Sequence, residues 1–274
     1  MILILLALAV FQCLITQYLT ENPDFYQLAA DTWESDDFRS MWLGEEVCSW
    51  ENLNGEQVAA LMIEHDYDLR DFIGQDGEYD NSRLLAKRPV DYGKLCMAYD
   101  LVFQDLKWFP IPASLNPDTP DISYEDGWMD VRSFPAQGQE SEGPRGHEGC
   151  DLMGQERPRG FYPVVSITDG VVEQAGWLTL GGWRLGVRSP GGVYFYYAHL
   201  DRYAKEWKAG DTIRAGELIG FMGDSGYGDE GTTGQFPVHL HLGIYLKTDR
   251  YDQMSVNPYW VLRYLEKRRL GYWY

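Results

Sequence analysis

V-H-L-H-L-G-I-Y-L, residues 238–246, alternates apolar and polar positions without interruption. Val238, Leu240, Leu242, Ile244 and Leu246 share one parity; His239, His241, Gly243 and Tyr245 share the other. A strand sends successive side chains to opposite faces, so the pattern predicts a half-buried strand with an aliphatic core face. Its other face then carries two imidazoles two residues apart. On a rigid strand such a pair suits one metal ligand and one catalytic neighbour. The chain has five histidines, and four of them are expected to meet at this strand.

Upstream, the period of two extends back to Tyr162. Apolar runs at 164–167 and 171–173 flank a turn at Asp169-Gly170, and runs at 183–188 and 193–199 flank Pro190-Gly191-Gly192, a strong hairpin signal. A further short strand is expected at 217–222, between Gly216 and Gly223. Several short strands with Gly-rich turns predict an antiparallel β domain, a sandwich or partly open barrel. Downstream, Asn257-Pro258 caps a final helix expected to reach about Arg269, with Lys267-Arg268-Arg269 at its C-terminus.

From Asp24 to about Trp108 the periodicity is helical instead. Phe25, Leu28, Ala29 and Trp33 follow a three-four spacing, as do Val58, Leu61, Met62 and His65. Tyr92, Leu95, Cys96, Tyr99, Val102, Phe103 and Leu106 form one continuous apolar stripe. His65 sits at the edge of its stripe and is assigned no chemistry. Residues 109–146 are rich in Pro and turn formers and read as a connector and lead-in. The expected fold class is therefore α+β. An apolar segment spans 1–20, a small helical region 21–108, a connector 109–140, and a β domain with its C-terminal helix 141–274. No internal repeat or low-complexity tract interrupts this layout.

A hydrophobic content of 45% with 15% aromatics is enough to build cores and excludes global disorder. The formal net charge of −19 argues against nucleic acid, which is bound by clustered Lys and Arg, and against an anionic membrane surface. Residues 1–20 carry no charge and have the length of a membrane-spanning helix. An uncleaved N-terminal anchor is the expected reading, since there is no basic n-region and no small-x-small cleavage site; a cleaved signal peptide is the alternative. Acidic Glu21 and Asp24 follow and the first basic residue is Arg39, so charge barely decides orientation. Cys13 lies in the apolar segment, and Cys48 and Cys96 are candidates for pairing in an oxidising compartment. There is no CxxC, which disfavours a cysteine-based zinc site.

Gly146-His147-Glu148-Gly149-Cys150-Asp151 places a histidine four residues before an aspartate. On a helix this spacing would resemble HExxH, but the fifth residue is Asp, and Pro144, Gly146 and Gly149 oppose a helix. A looped His-x-x-x-Asp converges on one ion only if the fold supplies a third ligand. Cys150, on an extended segment, is expected to point away from Asp151, and Glu148 to be solvated.

In order, His147 and Asp151, then Tyr197-Ala198-His199-Leu200, then His239-Leu240-His241 resemble the lysostaphin/LytM-type zinc metalloendopeptidases, which cut peptide cross-links in bacterial peptidoglycan. The strand pair around 165–171 and the run Ala209-Gly210-Asp211 through Gly220 match further elements of that pattern. The resemblance covers about 140–262. It implies that His147, Asp151 and His241 ligate Zn2+ and that His199 and His239 flank it as catalytic histidines. It also implies a peptidoglycan peptide substrate and an extracytoplasmic catalytic domain, tethered by the N-terminal segment or secreted. A catalytically inactive scaffold or regulator of cell-wall enzymes is the alternative, although such relatives typically lose a ligand and this chain keeps all three. Residues 223–238 form a longer and more acidic link than the family pattern, with Phe236-Pro237-Val238 before the first histidine. This segment is expected to be a loop shaping one wall of the substrate groove.

Overall fold

The helical periodicity of the first hundred residues becomes a set of short helices and three longer ones. In the computed structural model, which describes residues 1–22, 24–132 and 145–274, the chain divides into two compact units, Met1–Phe38 with Trp42–Asp100, and Arg39–Met41 with Leu101–Tyr274. Residues 133–140 of the expected connector lie outside the described residues. In the first unit, α1 (Ile2–Glu21) buries none of its residues and is long and apolar enough to cross a membrane. α2 (Gly55–Glu64) starts where the Asn54 side chain accepts hydrogen bonds from the Glu56 and Gln57 amides. α3 (Pro89–Phe103) crosses it closely at Gly55, where a Cβ would meet the Cys96 carbonyl oxygen at 2.2 Å. Val58, Leu61, Met62, Tyr92, Leu95 and Tyr99 are buried there. His65 ends α2 with its ring against Phe72. Cys48 and Cys96 are buried free thiols and do not pair.

The second unit is built on a nine-stranded antiparallel sheet. Its strands are β1 (Cys150–Met153), β2 (Pro163–Val165), β3 (Gly170–Leu178), β4 (Gly182–Arg188), β5 (Tyr194–Tyr203), β6 (Thr212–Ile213), β7 (Leu218–Met222), β8 (His239–Leu246) and β9 (Met254–Val256). The spatial order is β9-β8-β5-β4-β3-β6, with β1 on β8 and with β7 joining β5 to β2. The barrel does not close. The hairpin at Pro190-Gly191-Gly192 forms as expected, with Gly192 at φ +95° and Ser189 N–H bonded to the Val193 carbonyl. β2 and β3 flank Asp169 but pair with other strands, so that corner joins two parts of the sheet and makes no hairpin. Leu152, Val164, Leu185, Val187, Phe195, Tyr197, Leu240, Leu242 and Ile244 fill the core.

The C-terminal helix α4 (Pro258–Leu265) begins at Asn257, whose side chain accepts from the Tyr259 amide. It stops earlier than the basic run suggests. Arg269 leaves the helix to donate to the Ile111 and Pro112 carbonyls and to both oxygens of Asp121 at 2.6 and 2.7 Å. The chain then runs parallel to Ala113–Ser114 at Gly271–Tyr272.

Candidate metal centre

Asp151 and His241 stand opposite one another in the β1–β8 ladder. Both take the polar parity, so they project from one sheet face, while Cys150, Leu152, Leu240 and Leu242 enter the core. His147 reaches the same place from the loop before β1. That loop is held by His147 N–H to the Asp130 carbonyl and Met129 N–H to the His147 carbonyl, both 2.9 Å, beside the short antiparallel pair Val131–Arg132 and Arg145–Gly146. Gly149 permits the close approach, because a Cβ there would lie 2.3 Å from His241 Cε1.

His147 Nε2, Asp151 Oδ1 and His241 Nδ1 form a triangle with sides of 3.1, 3.1 and 2.9 Å. His147 Nδ1 lies 3.2 Å from the Gly127 carbonyl and 3.3 Å from Arg132 Nη2; with the ring proton directed at the carbonyl, Nε2 keeps its lone pair. A single proton on His241 Nδ1 cannot satisfy all three contacts, and the remaining lone pairs repel. Two imidazoles and a carboxylate so placed fit a divalent cation. Burial alone would raise the Asp151 carboxyl, but the hydrogen bond from His241 and the His147, His241 and His239 rings around it hold it well below the usual carboxylate range. It stays ionised, as a ligand must.

The other two histidines lie beside this triangle and do not complete it. His239 Nε2 is 3.7 Å from Asp151 Oδ1, and its Nδ1 donates to the Pro237 carbonyl at 2.7 Å. His199 Nδ1 donates to the Ser225 carbonyl at 2.8 Å, and its ring centre lies 4.7 Å from that of His239. Burial lowers both imidazoles, His199 to about 3, with the neighbouring His239 and His241 rings opposing a second positive charge there. Both rings are therefore neutral at pH 7. Phe236 packs edge-on against His199 and His239 at 4.6 and 5.1 Å, and Tyr227 stacks on His199 at 6.2 Å. The 223–238 loop thus walls the two histidines.

Cys150 turns into the core with its thiol toward the Glu125 carbonyl, and Glu148 pairs with Arg39 at 3.4 Å. Neither joins the centre. Sequence reasoning missed Arg132, whose Nη2 donates to Asp151 Oδ2 at 3.2 Å. It also missed Ser225, which orients His199 while its hydroxyl donates to the Leu200 carbonyl at 2.6 Å. A polar residue set between Gly223, Asp224 and Gly226 was the only sequence signal for Ser225; Arg132 had none.

The Peptidase family M23 model matches residues 145–258. A crystal structure of a lytM protein from Ruminococcus gnavus ATCC 29149 is 42% identical, covers 91% of this chain and 98% of that one, and superposes with a TM-score of 0.76. The chain belongs to peptidase family M23. Among curated relatives, the L-Ala–D-Glu endopeptidase of Bacillus subtilis (strain 168) is 39% identical over 177 residues, 65% of this chain and 49% of that protein. The chain thus spans about half the length of that relative. Lysostaphin of Staphylococcus simulans is 39% identical over 67 residues, 24% of this chain and 13% of that protein. The M23 match includes all five of the site histidines and aspartate, His147, Asp151, His199, His239 and His241.

Proposed function

We propose that this chain is a zinc-dependent endopeptidase hydrolysing peptide cross-links or bridges of bacterial peptidoglycan. His147, Asp151 and His241 hold the metal, and His199 and His239 are the catalytic histidines. The observation that carries this reading is the 2.9–3.1 Å triangle of His147, Asp151 and His241 donors with two neutral imidazoles beside it. Those sides are near the roughly 3.3 Å edge of a tetrahedron built at zinc–nitrogen distances of about 2.0–2.1 Å, and three protein ligands are the catalytic pattern. Zinc held there would polarise the scissile carbonyl and acidify the attacking water.

The protein's own groups do the rest. With Nδ1–H committed to backbone carbonyls, His199 and His239 each keep an unprotonated Nε2. One takes a proton from the attacking water, and an imidazolium so formed returns it to the leaving amine. Ionised Asp151 balances that positive charge, while Phe236 and Tyr227 exclude bulk water from His199. Relatives named L-Ala–D-Glu and glycyl-glycine endopeptidase support a peptide of the stem or bridge class. α1 supports a membrane tether with the β unit extracytoplasmic, or secretion after its removal. The test is digestion of purified peptidoglycans of differing bridge composition, with mass spectrometry of the new termini. Native protein is expected to release fragments and His241→Ala none; equal release, or substoichiometric zinc in protein purified without chelator, overturns the reading.

A further inference from the structure

Arg184 is a buried cation without a counter-charge among the described residues. On β4 it shares the polar parity with Gly186 and Arg188, while Leu185 and Val187 enter the core. It retains 9% of its exposure. Its Nη2 donates to a neutral acceptor, Gln174 Oε1, at 3.2 Å, and its Nη1 is buried with no partner. Among the described residues no carboxylate pairs with it. A buried guanidinium with a free donor and no anion is costly, and a bound carboxylate would satisfy both the charge and the Nη1–H.

Register places this residue in line with the metal centre. His241 pairs with Ala198 on β5, and on the other side of β5 the pairs Leu185 with Tyr197 and Trp183 with Leu200 bracket Arg184 beside Ala198 and His199. Two interstrand spacings, roughly 10 Å, therefore separate Arg184 from His241 across the sheet. Tyr196 lies on the strand between, its ring 6.1 Å from that of His241 and its hydroxyl without a hydrogen bond among the described residues. Across the ladder from Arg184 stands Gly176, where a Cβ would meet nothing within 4 Å.

We infer that Arg184, with the Tyr196 hydroxyl beside it, is a carboxylate-binding subsite of the substrate groove and selects peptides that carry a free carboxylate two to three residues from the cleaved bond. The inference rests on the proposed peptidase function for its substrate. An extended peptide covers about 3.3–3.6 Å per residue, so a chain crossing the strands reaches from the centre to Arg184 in about three. In a stem peptide the carboxylate is either that of D-Glu or that of the C-terminus. The shared chemistry is one anion received by one fork of donors.

The test uses the full-length, zinc-loaded chain carrying His239→Ala to stop turnover, titrated calorimetrically with L-Ala–D-Glu–L-Lys–D-Ala. Two companions have either the D-Glu carboxylate or the C-terminal carboxylate replaced by its amide. One amidation is expected to weaken binding about 10- to 100-fold, as loss of a charged hydrogen-bond pair does, and which one identifies the source. In the same background Arg184→Gln is expected to bind all three peptides alike, and Arg184→Lys to keep part of the preference. Equal affinities for the three peptides with Arg184 intact, or a preference that survives Arg184→Gln, overturn the assignment. Binding is read without hydrolysis, so an inactive native enzyme would sink the proposed function and leave this result standing. Should Arg184→Gln not fold, the comparison of peptides on the Arg184 protein and on Arg184→Lys decides.

Discussion

Three lone pairs on a 3 Å triangle do not stay there unaided. A backbone carbonyl and one cation hold them in place: the Gly127 carbonyl lies against His147 Nδ1, and Arg132 donates to the Asp151 oxygen that faces away from the triangle. Groups that orient ligands in this way are worth about 10- to 100-fold in metal affinity. Arg132→Gln is therefore expected to weaken zinc binding by that factor in chelator competition; unchanged affinity would reduce Arg132 to a surface contact. His199 and His239 lie outside the triangle, so the opposite signature is expected of them. His199→Ala or His239→Ala should keep zinc at one equivalent and lose about 10²- to 10⁴-fold in kcat, the range of general acid–base catalysis. Zinc lost from either variant would show that a ligand has been taken for a catalyst.

At the scale of elements, alternation carried most of the reading and failed at one informative point. Val238 lies outside β8, but Leu240, Leu242 and Ile244 enter the core and His239 and His241 the polar face, as the parity of 238–246 requires. The same rule applied to β5 sends His199 inward with Phe195 and Tyr197, which are fully buried on the core side. The strand instead bulges there, with pairing to β4 shifting between Trp183 and Leu185 and His199 at φ +60°. A bulge re-aims a side chain, and a non-glycine left-handed residue is a strain kept where function needs it. No local residue type announces it, since glycine is absent at 199. The early stop of α4 was illegible for a similar reason. Arg269 matches a helix C-terminus in sequence, yet its partners Ile111, Pro112 and Asp121 lie some 150 residues away in the chain, 158 in the case of Ile111. Arg269→Ala is expected to cost about 2–3 kcal/mol by chemical denaturation, because a charged donor to three groups is removed. Hydrogen bonds from Arg269 hold the Asp121 carboxyl below its usual value, so its share of that stability is present at neutral pH and lost as pH falls below about 4. Asp121 is well exposed, which keeps that share under about 1 kcal/mol.

For the sheet unit as a whole, the question is whether the metal builds the fold or merely occupies it. Small zinc domains without a core unfold when the metal leaves. Here the strand that carries His241 is paired through its backbone on both sides, with the Asp151 strand as one of its partners, and their apolar parity is fully buried at Leu152, Leu240 and Leu242. Burial of such side chains stabilises by about 1.5–3 kcal/mol each, independent of any ion. Chelation is therefore expected to leave the far-ultraviolet circular dichroism of the sheet unit unchanged while abolishing turnover, with recovery on adding zinc. A metal bound there would still contribute by mass action, about 2.7 kcal/mol at a free concentration one hundred times Kd. For a unit of this size that is a fall in Tm of roughly 5–10 °C on chelation. The fall should vanish in His241→Ala, where the triangle is already broken, and a collapse of secondary structure at room temperature on chelation would instead place the ion among the determinants of the fold.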